Sequence, residues 1–414
     1  MIKLCFDAFV NDLLDHPWPN LVPCTTDDVN YWPCHLSSTP PFSEFPRLVE
    51  YLREHDCPHE FYRVADADQD CFYIIDLYVF DHSIDFFKSM SDEALSRLKQ
   101  RQFKLLIFYC EADSEPRIQK QIFSLCSVHD INPADVHLVM GHTVTAASPA
   151  NFHYFDDDLL AYGSAQLREH NRFLSCHDTP RSKKTTILSR VHKNWRAYFH
   201  AWAWDQGHHK DSYFSYCMED HGEDMNPENN PLHAKIKLDH AWQDRVDRFL
   251  SAAPFYADEL DNEQRNDYHH RVDHFYNDSY WNIVLETHLS LEDNLPGVFL
   301  TEKTWKPIAN GQAFVVLGNA GSLQYLRSLG FRTFWEIGIN EDYDDVVDAT
   351  DRFNAVCDVV STLSSMSIEQ LHQLNKMARP ILEHNQKLFR TMPRRMLDTL
   401  IEDLTGDRLL HPSL

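Results

Sequence analysis

The sequence predicts an α/β protein of two Rossmann-like domains facing a cleft, with helices at the C-terminal end. Three observations lead there. Short apolar runs alternate with amphipathic stretches of helical length in both halves of the 414-residue chain. A polar stretch, HDTPRSKK at residues 177–184, interrupts that alternation near the middle. From residue 342 onward the pattern is helical only.

In the first half, residues 46–55 have helical spacing, and residues 71–80 (CFYIIDLYVF) form a continuous apolar and aromatic run suited to a buried strand. Residues 91–101 read as a helix opened by a Ser cap, with Glu93 in its first turn. Residues 103–110 (FKLLIFYC) are the clearest strand, 116–129 a helix, and Val136–Met140 a short strand after the break at Asn132-Pro133. Residues 141–182 lose periodicity except for a strand-like run at 158–162. A boundary within 178–184 divides the chain into domains of residues 1–182 and 183–414.

The second half repeats the alternation. Thr185–Ser189 is a strand, Asn194–Asp205 an aromatic-rich helix ending at Gly207, and Ser212–Tyr216 a further strand. Residues 219–270 are polar and irregular, with helical patches around 238–251. Strands are expected at 280–287 and 297–300, a helix at 301–311, a strand at 313–317, a helix at 322–329 stopped by Gly330, and a strand at 333–337. Helices at 342–364, 367–390 and 394–404 follow. No internal repeat is visible.

Composition narrows the function classes. A hydrophobic fraction of 43% with 24% charged residues excludes a disordered chain. With 38 basic and 63 acidic residues the formal charge is -25, which speaks against a chain built to grip nucleic acid or an anionic membrane. No apolar run reaches membrane-spanning length, and Asp7 and Asp12 interrupt the N-terminal segment that a signal peptide would need. The ten cysteines form no C-x-x-C pair, as expected of reduced thiols in a cytoplasmic protein.

The segment GVFLTEKTWKPIANGQAFVVLGNAGSLQYL, residues 297–326, carries the most chemistry. An apolar run leads into Thr301, with Glu302 and Lys303 at the first positions of a helix. A helix start attracts phosphate through its backbone N–H groups and its dipole, and Lys303 adds a full charge. Glu302 would repel phosphate but suits the hydroxyls of a ribose, so acid and base together fit a nucleoside diphosphate. Only 11 glycines occur in the chain, which gives weight to the loop Gly318-Asn319-Ala320-Gly321-Ser322. That loop opens a second helix whose amides are expected to face the same ligand. Pro307 should keep the first helix short.

Residues 299–317 resemble the donor-binding motif of the α-1,3-fucosyltransferase family: a strand, Thr-Glu-Lys, one residue, Trp or Leu, a short spacer, Gly and an apolar strand. Thr301, Glu302, Lys303, Trp305, Gly311 and Phe314–Leu317 stand in register with it. The segment is also similar to glycosyltransferase-like proteins of phage genomes, in which Gly-Ser-Leu and Gly-Phe follow, as Gly321-Ser322-Leu323 and Gly330-Phe331 do here. The likeness is loose over the rest of the C-terminal half and absent from the first 180 residues.

The resemblance implies the two-domain GT-B fold. It also implies transfer of a sugar from a nucleoside diphosphate sugar to a hydroxyl acceptor, without a metal or other cofactor. Carried over, Glu302 contacts the donor's ribose and Lys303 its diphosphate. The family's Arg after the first donor-domain strand falls on Arg190, with Lys193 and Arg196 close behind, where fixed cations would stabilise the leaving diphosphate. Thr301, Asn319 and Ser322 complete the donor-side candidates. An inverting enzyme of this type needs a general base from the other domain. Glu111 and Asp113 after the strand at 103–110, and His142 after the strand at 136–140, are the candidates. The acceptor is left open among a glycan, a small molecule, a protein and, for a phage enzyme, a hydroxymethylated DNA base. A non-catalytic nucleotide-binding or assembly protein on the same fold is the alternative of a different class.

Other signals carry less. Asp66, Asp68 and Asp70 fail the calcium-loop pattern, since Cys71 and Leu77 stand where Gly and Glu are required. His270 and His274 have metal-pair spacing beside His269, but no further ligand is evident. The aromatics of 194–205 have the spacing of a packed helix. No metal site is expected.

Overall fold

A computed structural model describes residues 1–6, 31–32, 47–77, 85–109, 115–141, 143, 148–165, 178–219, 240–257, 272–289 and 297–406. The chain has a mixed α/β fold of two Rossmann-like units, one of Met1–Leu160 with Pro393–Leu414 and one of Ala161–Met392. The division thus falls at Leu160 where the sequence pattern suggested 182, and the final helix, Met392–Thr405, belongs with the first unit from Pro393 on.

In the first unit, β1 (Ile2–Phe6), β3 (His59–Arg63), β4 (Cys71–Leu77), β5 (Lys104–Tyr109), β6 (Val136–Met140) and β7 (Phe152–Tyr154) form a parallel sheet in the order β3-β1-β4-β5-β6-β7. The two-residue β2 (Tyr31–Trp32) pairs antiparallel with β4. Ile74, Ile75, Leu106 and Ile107 are buried, as continuous apolar runs in a sheet covered on both faces must be. Helices Arg47–Glu54, Asp92–Lys99 and Glu115–His129 alternate with the strands. The Ser91 hydroxyl accepts the amide of Ala94 at 3.1 Å, which fixes the start of the second helix. At the C-terminal end of β4, Arg47 binds two carboxylates, Asp76 at 2.8 Å and Asp157 at 2.7 Å, and Tyr51 donates to Asp157 at 2.7 Å.

The strand expected at 158–162 is instead the helix Asp157–Ala165. Asp156, fully buried, accepts the Leu159 amide at 2.7 Å, so a local cap converts the apolar run to helical period.

In the second unit, β8 (Lys183–Val191), β9 (Ser212–Glu219), β10 (Ser279–Leu285) and β11 (Ala313–Leu317) form an all-parallel sheet in the order β11-β10-β8-β9. The helix Asn194–Asp205 buries Trp195, Phe199 and Trp202, with Phe199 and Trp202 rings 5.2 Å apart, so its aromatics form packing. The helix Glu302–Ala309 is two turns long; it runs through Pro307 and ends at Asn310, before Gly311 at φ 63°. Helices Ser322–Ser328, Ala349–Ser365 and Ile368–Phe389 follow, the last opened by a capping box of Ser367 and Gln370.

Three further expectations fail here. Gly297–Leu300 joins no sheet; the Phe299 amide donates to the Asn319 side chain rather than to a ladder. Residues 334–337 form a 3-10 turn, because the Phe334 amide is drawn to Glu341 at 2.6 Å and Gly338, at φ 89°, ends it. The helix expected from 342 begins at Ala349, where Asp348 accepts the amides of Thr350 and Asp351. Among the described residues no helix is long and apolar enough to cross a membrane.

Candidate donor site at the sheet switch point

In an open parallel sheet, ligands bind beyond the C-terminal ends of the strands where the strand order reverses. In the second unit β8 is laid first, β9 on one side of it and β10 on the other, so the reversal lies between β8 and β10. The segments leaving those two strands carry Lys193, Arg196, Thr301, Glu302 and Lys303, while Asn319 and Ser322 follow β11.

Glu286, immediately after β10, is the centre of this edge and is fully buried. Its Oε1 accepts the Thr301 amide at 3.1 Å and the Thr304 hydroxyl at 2.5 Å. Its Oε2 accepts the Thr287 amide at 3.1 Å and the Thr301 hydroxyl at 2.6 Å. An internal carboxylate therefore sits at the start of the helix Glu302–Ala309, where the dipole favours it. Thr301 is the N-cap residue of that helix, but its hydroxyl caps no first-turn amide and donates to Glu286.

Lys303 stands on the first turn. Its Nζ donates to the Thr287 hydroxyl at 3.1 Å and the Thr301 hydroxyl at 3.2 Å, and lies 3.1 Å from Glu302. Its side chain is 30% exposed and that of Glu302 15%, so both reach solvent from a mostly enclosed position. Burial opposes ionisation of Glu302, but Lys303, with Lys306 behind it, outweighs that and holds the carboxyl well below the usual carboxylate range.

The segment after β8 supplies more cations. Lys193, buried, donates to the Thr287 carbonyl at 3.3 Å, and Arg196, buried, donates through Nη2 to the Glu286 carbonyl at 2.7 Å. Arg190 lies inside β8 rather than after it and is half-buried. The β8–β9 ladder slips between Ser189 and Val191, and Met218 on the facing strand takes φ 57°, a bulge of the kind that re-aims side chains at sites. Lys193, Arg196 and Lys303 thus converge on the two residues Glu286 and Thr287.

The Gly-rich loop is organised differently from expectation. Asn319 and Ser322 are buried; Asn319 holds Phe299, and the Ser322 hydroxyl donates to the Asn319 carbonyl at 2.7 Å. The amides that were to face a ligand are bound by Asp344, which accepts from Leu323 at 2.9 Å and Gln324 at 2.8 Å. Arg352, also buried, donates to the carbonyls of Gly318, Val346, Val347 and Leu289, tying the loops after β10 and β11 together.

Glu111, Asp113 and His142 lie outside the described residues, as do His269 and His270. Asp68 is bound by Lys3 at 2.9 Å. Among the described residues no three His, Cys, Asp or Glu side chains form a group able to hold a metal. Sequence reasoning missed Glu286, Thr287, Asp344 and Arg352. The rule that singled out Glu111, a carboxylate directly after an apolar strand, applies equally to Glu286 at the end of YWNIVLE.

No family model matches the chain, and no curated protein matches it. Among solved structures, the chain is similar to an α,α-trehalose-phosphate synthase (UDP-forming) from Burkholderia xenovorans, in complex with glucose-6-phosphate. The identity is 11%, covering 81% of this chain and 72% of that one, with a TM-score of 0.38. It is similar also to an α,α-trehalose-phosphate synthase (UDP-forming) from Burkholderia vietnamiensis, at 10% identity, 87% and 79% coverage and a TM-score of 0.38. Neither likeness assigns a residue.

Proposed function

We propose that the protein is a glycosyltransferase of the GT-B type, which moves a sugar from a nucleoside diphosphate sugar to a hydroxyl acceptor, with the donor on the second unit. The observation that carries this reading is the convergence of Lys193, Arg196 and Lys303 on Glu286–Thr287 at the switch point of a parallel sheet.

In this reading Lys303, with Lys193, Arg196 and Arg190, receives the diphosphate. Negative charge grows on the leaving group as the glycosidic bond breaks, and cations fixed beforehand lower that barrier without reorganisation. They take the part a divalent metal plays elsewhere. Glu302, kept ionised by Lys303, accepts from the ribose hydroxyls. Thr301, Asn319 and Ser322 shape the loops around them. The first unit supplies the acceptor side, with Glu111, Asp113 or His142 taking the acceptor's proton if the reaction inverts configuration.

The test is a thermal-shift screen of GDP-, UDP-, CMP- and dTDP-sugars, followed by an assay for donor hydrolysis. One nucleotide class should raise the melting temperature, by about 2.7 kcal/mol of stability at a hundredfold excess over the Kd. Release of the nucleoside diphosphate should accompany it. Binding without turnover would favour a nucleotide-binding protein, and no shift with any donor would overturn the reading.

A further inference from the structure

We propose that Glu286 is a positioning residue that sets the Lys303 ammonium in the donor site. The ligand arm of the proposal rests on the reading above; the geometry does not.

Each Glu286 oxygen takes one backbone N–H and one hydroxyl: Thr301 N and Thr304 Oγ1 at one, Thr287 N and Thr301 Oγ1 at the other. Thr301 and Thr287 are also the residues whose hydroxyls accept from Lys303 Nζ. The carboxylate therefore grips the same two residues that hold the ammonium, and joins the end of β10 to the helix that carries Lys303.

The surroundings are shaped for this side chain. A Cβ at Gly318 would lie 3.1 Å from Glu286 Cβ and 3.2 Å from its Cγ, closer than ordinary packing allows. The Glu286 backbone is fixed as well: its amide donates to the Leu317 carbonyl at 3.0 Å and its carbonyl accepts from Arg196. An amide cannot replace the carboxylate. Either orientation of a Gln would turn its NH2 against a backbone N–H, of Thr301 or of Thr287, and a backbone donor cannot rotate away as a hydroxyl can.

The experiment compares the full-length protein with Glu286→Gln by competitive lysine labelling with acetic anhydride, read by peptide mass spectrometry, without any ligand. Lys303 should label severalfold faster in the variant relative to exposed Lys376, while Lys376 keeps its rate. UDP and GDP affinities are then measured by calorimetry. Whichever nucleotide binds should bind at least tenfold more weakly to Glu286→Gln, and the double variant with Lys303→Met should bind no more weakly than Lys303→Met alone.

A purely structural role would lower the melting temperature but leave the Lys303 labelling rate unchanged and make the two substitutions additive; either result overturns the proposal. If the wild-type protein binds neither nucleotide, the donor-site reading falls, and the labelling arm still decides the role of Glu286. If Glu286→Gln does not fold, Thr304→Val is read in the same way. It removes one donor from the same carboxylate, and wild-type labelling of Lys303 in that variant would also overturn the proposal.

Discussion

Lys193 and Lys303 donate to the two oxygens of one residue: the first lies 3.3 Å from the carbonyl of Thr287 and the second 3.1 Å from its hydroxyl. One lysine follows β8 and the other stands on the helix entered after β10, so a single threonine brings together charges that are far apart in sequence.

Lys303→Met should weaken binding of the nucleoside diphosphate at least tenfold, and it should also lower the ligand-free stability near neutral pH, because it takes the counter-charge from the mostly enclosed Glu302 carboxylate. Lys193→Met should weaken binding too, at a stability cost of about 1–2 kcal/mol, since the buried Thr287 contact goes with it. Calorimetry and urea melts on both variants separate the two effects.

Acid should erode the Glu302 contribution. Its carboxyl is held below its ordinary value of 4.5, so the stability it adds is present above that value and is lost as pH falls through the lowered folded-state value. The stability difference between wild type and Glu302→Gln, from urea melts at stepped pH, should therefore be largest near neutrality and shrink steadily below pH 4.5. A difference constant down to pH 3 would contradict the Lys303 pairing.

Gly318→Ala should disturb the site without touching a charged group. The new methyl presses on Glu286, which has no room to yield without loosening Thr301 or Thr287. Weaker nucleotide binding with a destabilisation of about 1–3 kcal/mol is expected. Gly321→Ala is the comparison: its φ of 82° strains any side chain, but its nearest neighbours are 3.8 Å away and Glu286 is not among them.

In the first unit, Arg47→Met should destabilise by about 3 kcal/mol, because it leaves the buried Asp76 carboxylate without its guanidinium partner. The measurement is a chemical melt followed by tryptophan fluorescence, and a loss under 1 kcal/mol would show the network to be dispensable.

Elements whose periodicity and ends agree were legible from sequence. Val136–Met140, Ala313–Leu317 and Asn194–Asp205 are found at the expected bounds, each an apolar run or helical stripe closed by local signals. Elements that depend on a distant side chain were not. Glu341 bends 334–337 into a turn, and Asp344 takes the amides of the Gly-rich loop; neither effect leaves a trace in local pattern. In the candidate site, the Thr-Glu-Lys triplet stood out because its charges are adjacent in sequence. Glu286 did not, because apart from the adjacent Thr287 its partners lie fifteen to eighteen residues away, and its role exists only once β10 and the helix start meet.

Glu286 and Asp344 place a carboxylate of the chain itself at two neighbouring helix starts. Each acts as a built-in counter-anion, so an incoming phosphate would be met by the tips of lysine and arginine rather than by a ring of backbone amides. Recognition by such tips is exposed to competing ions, and affinity for a phosphorylated ligand should fall markedly between low and physiological ionic strength.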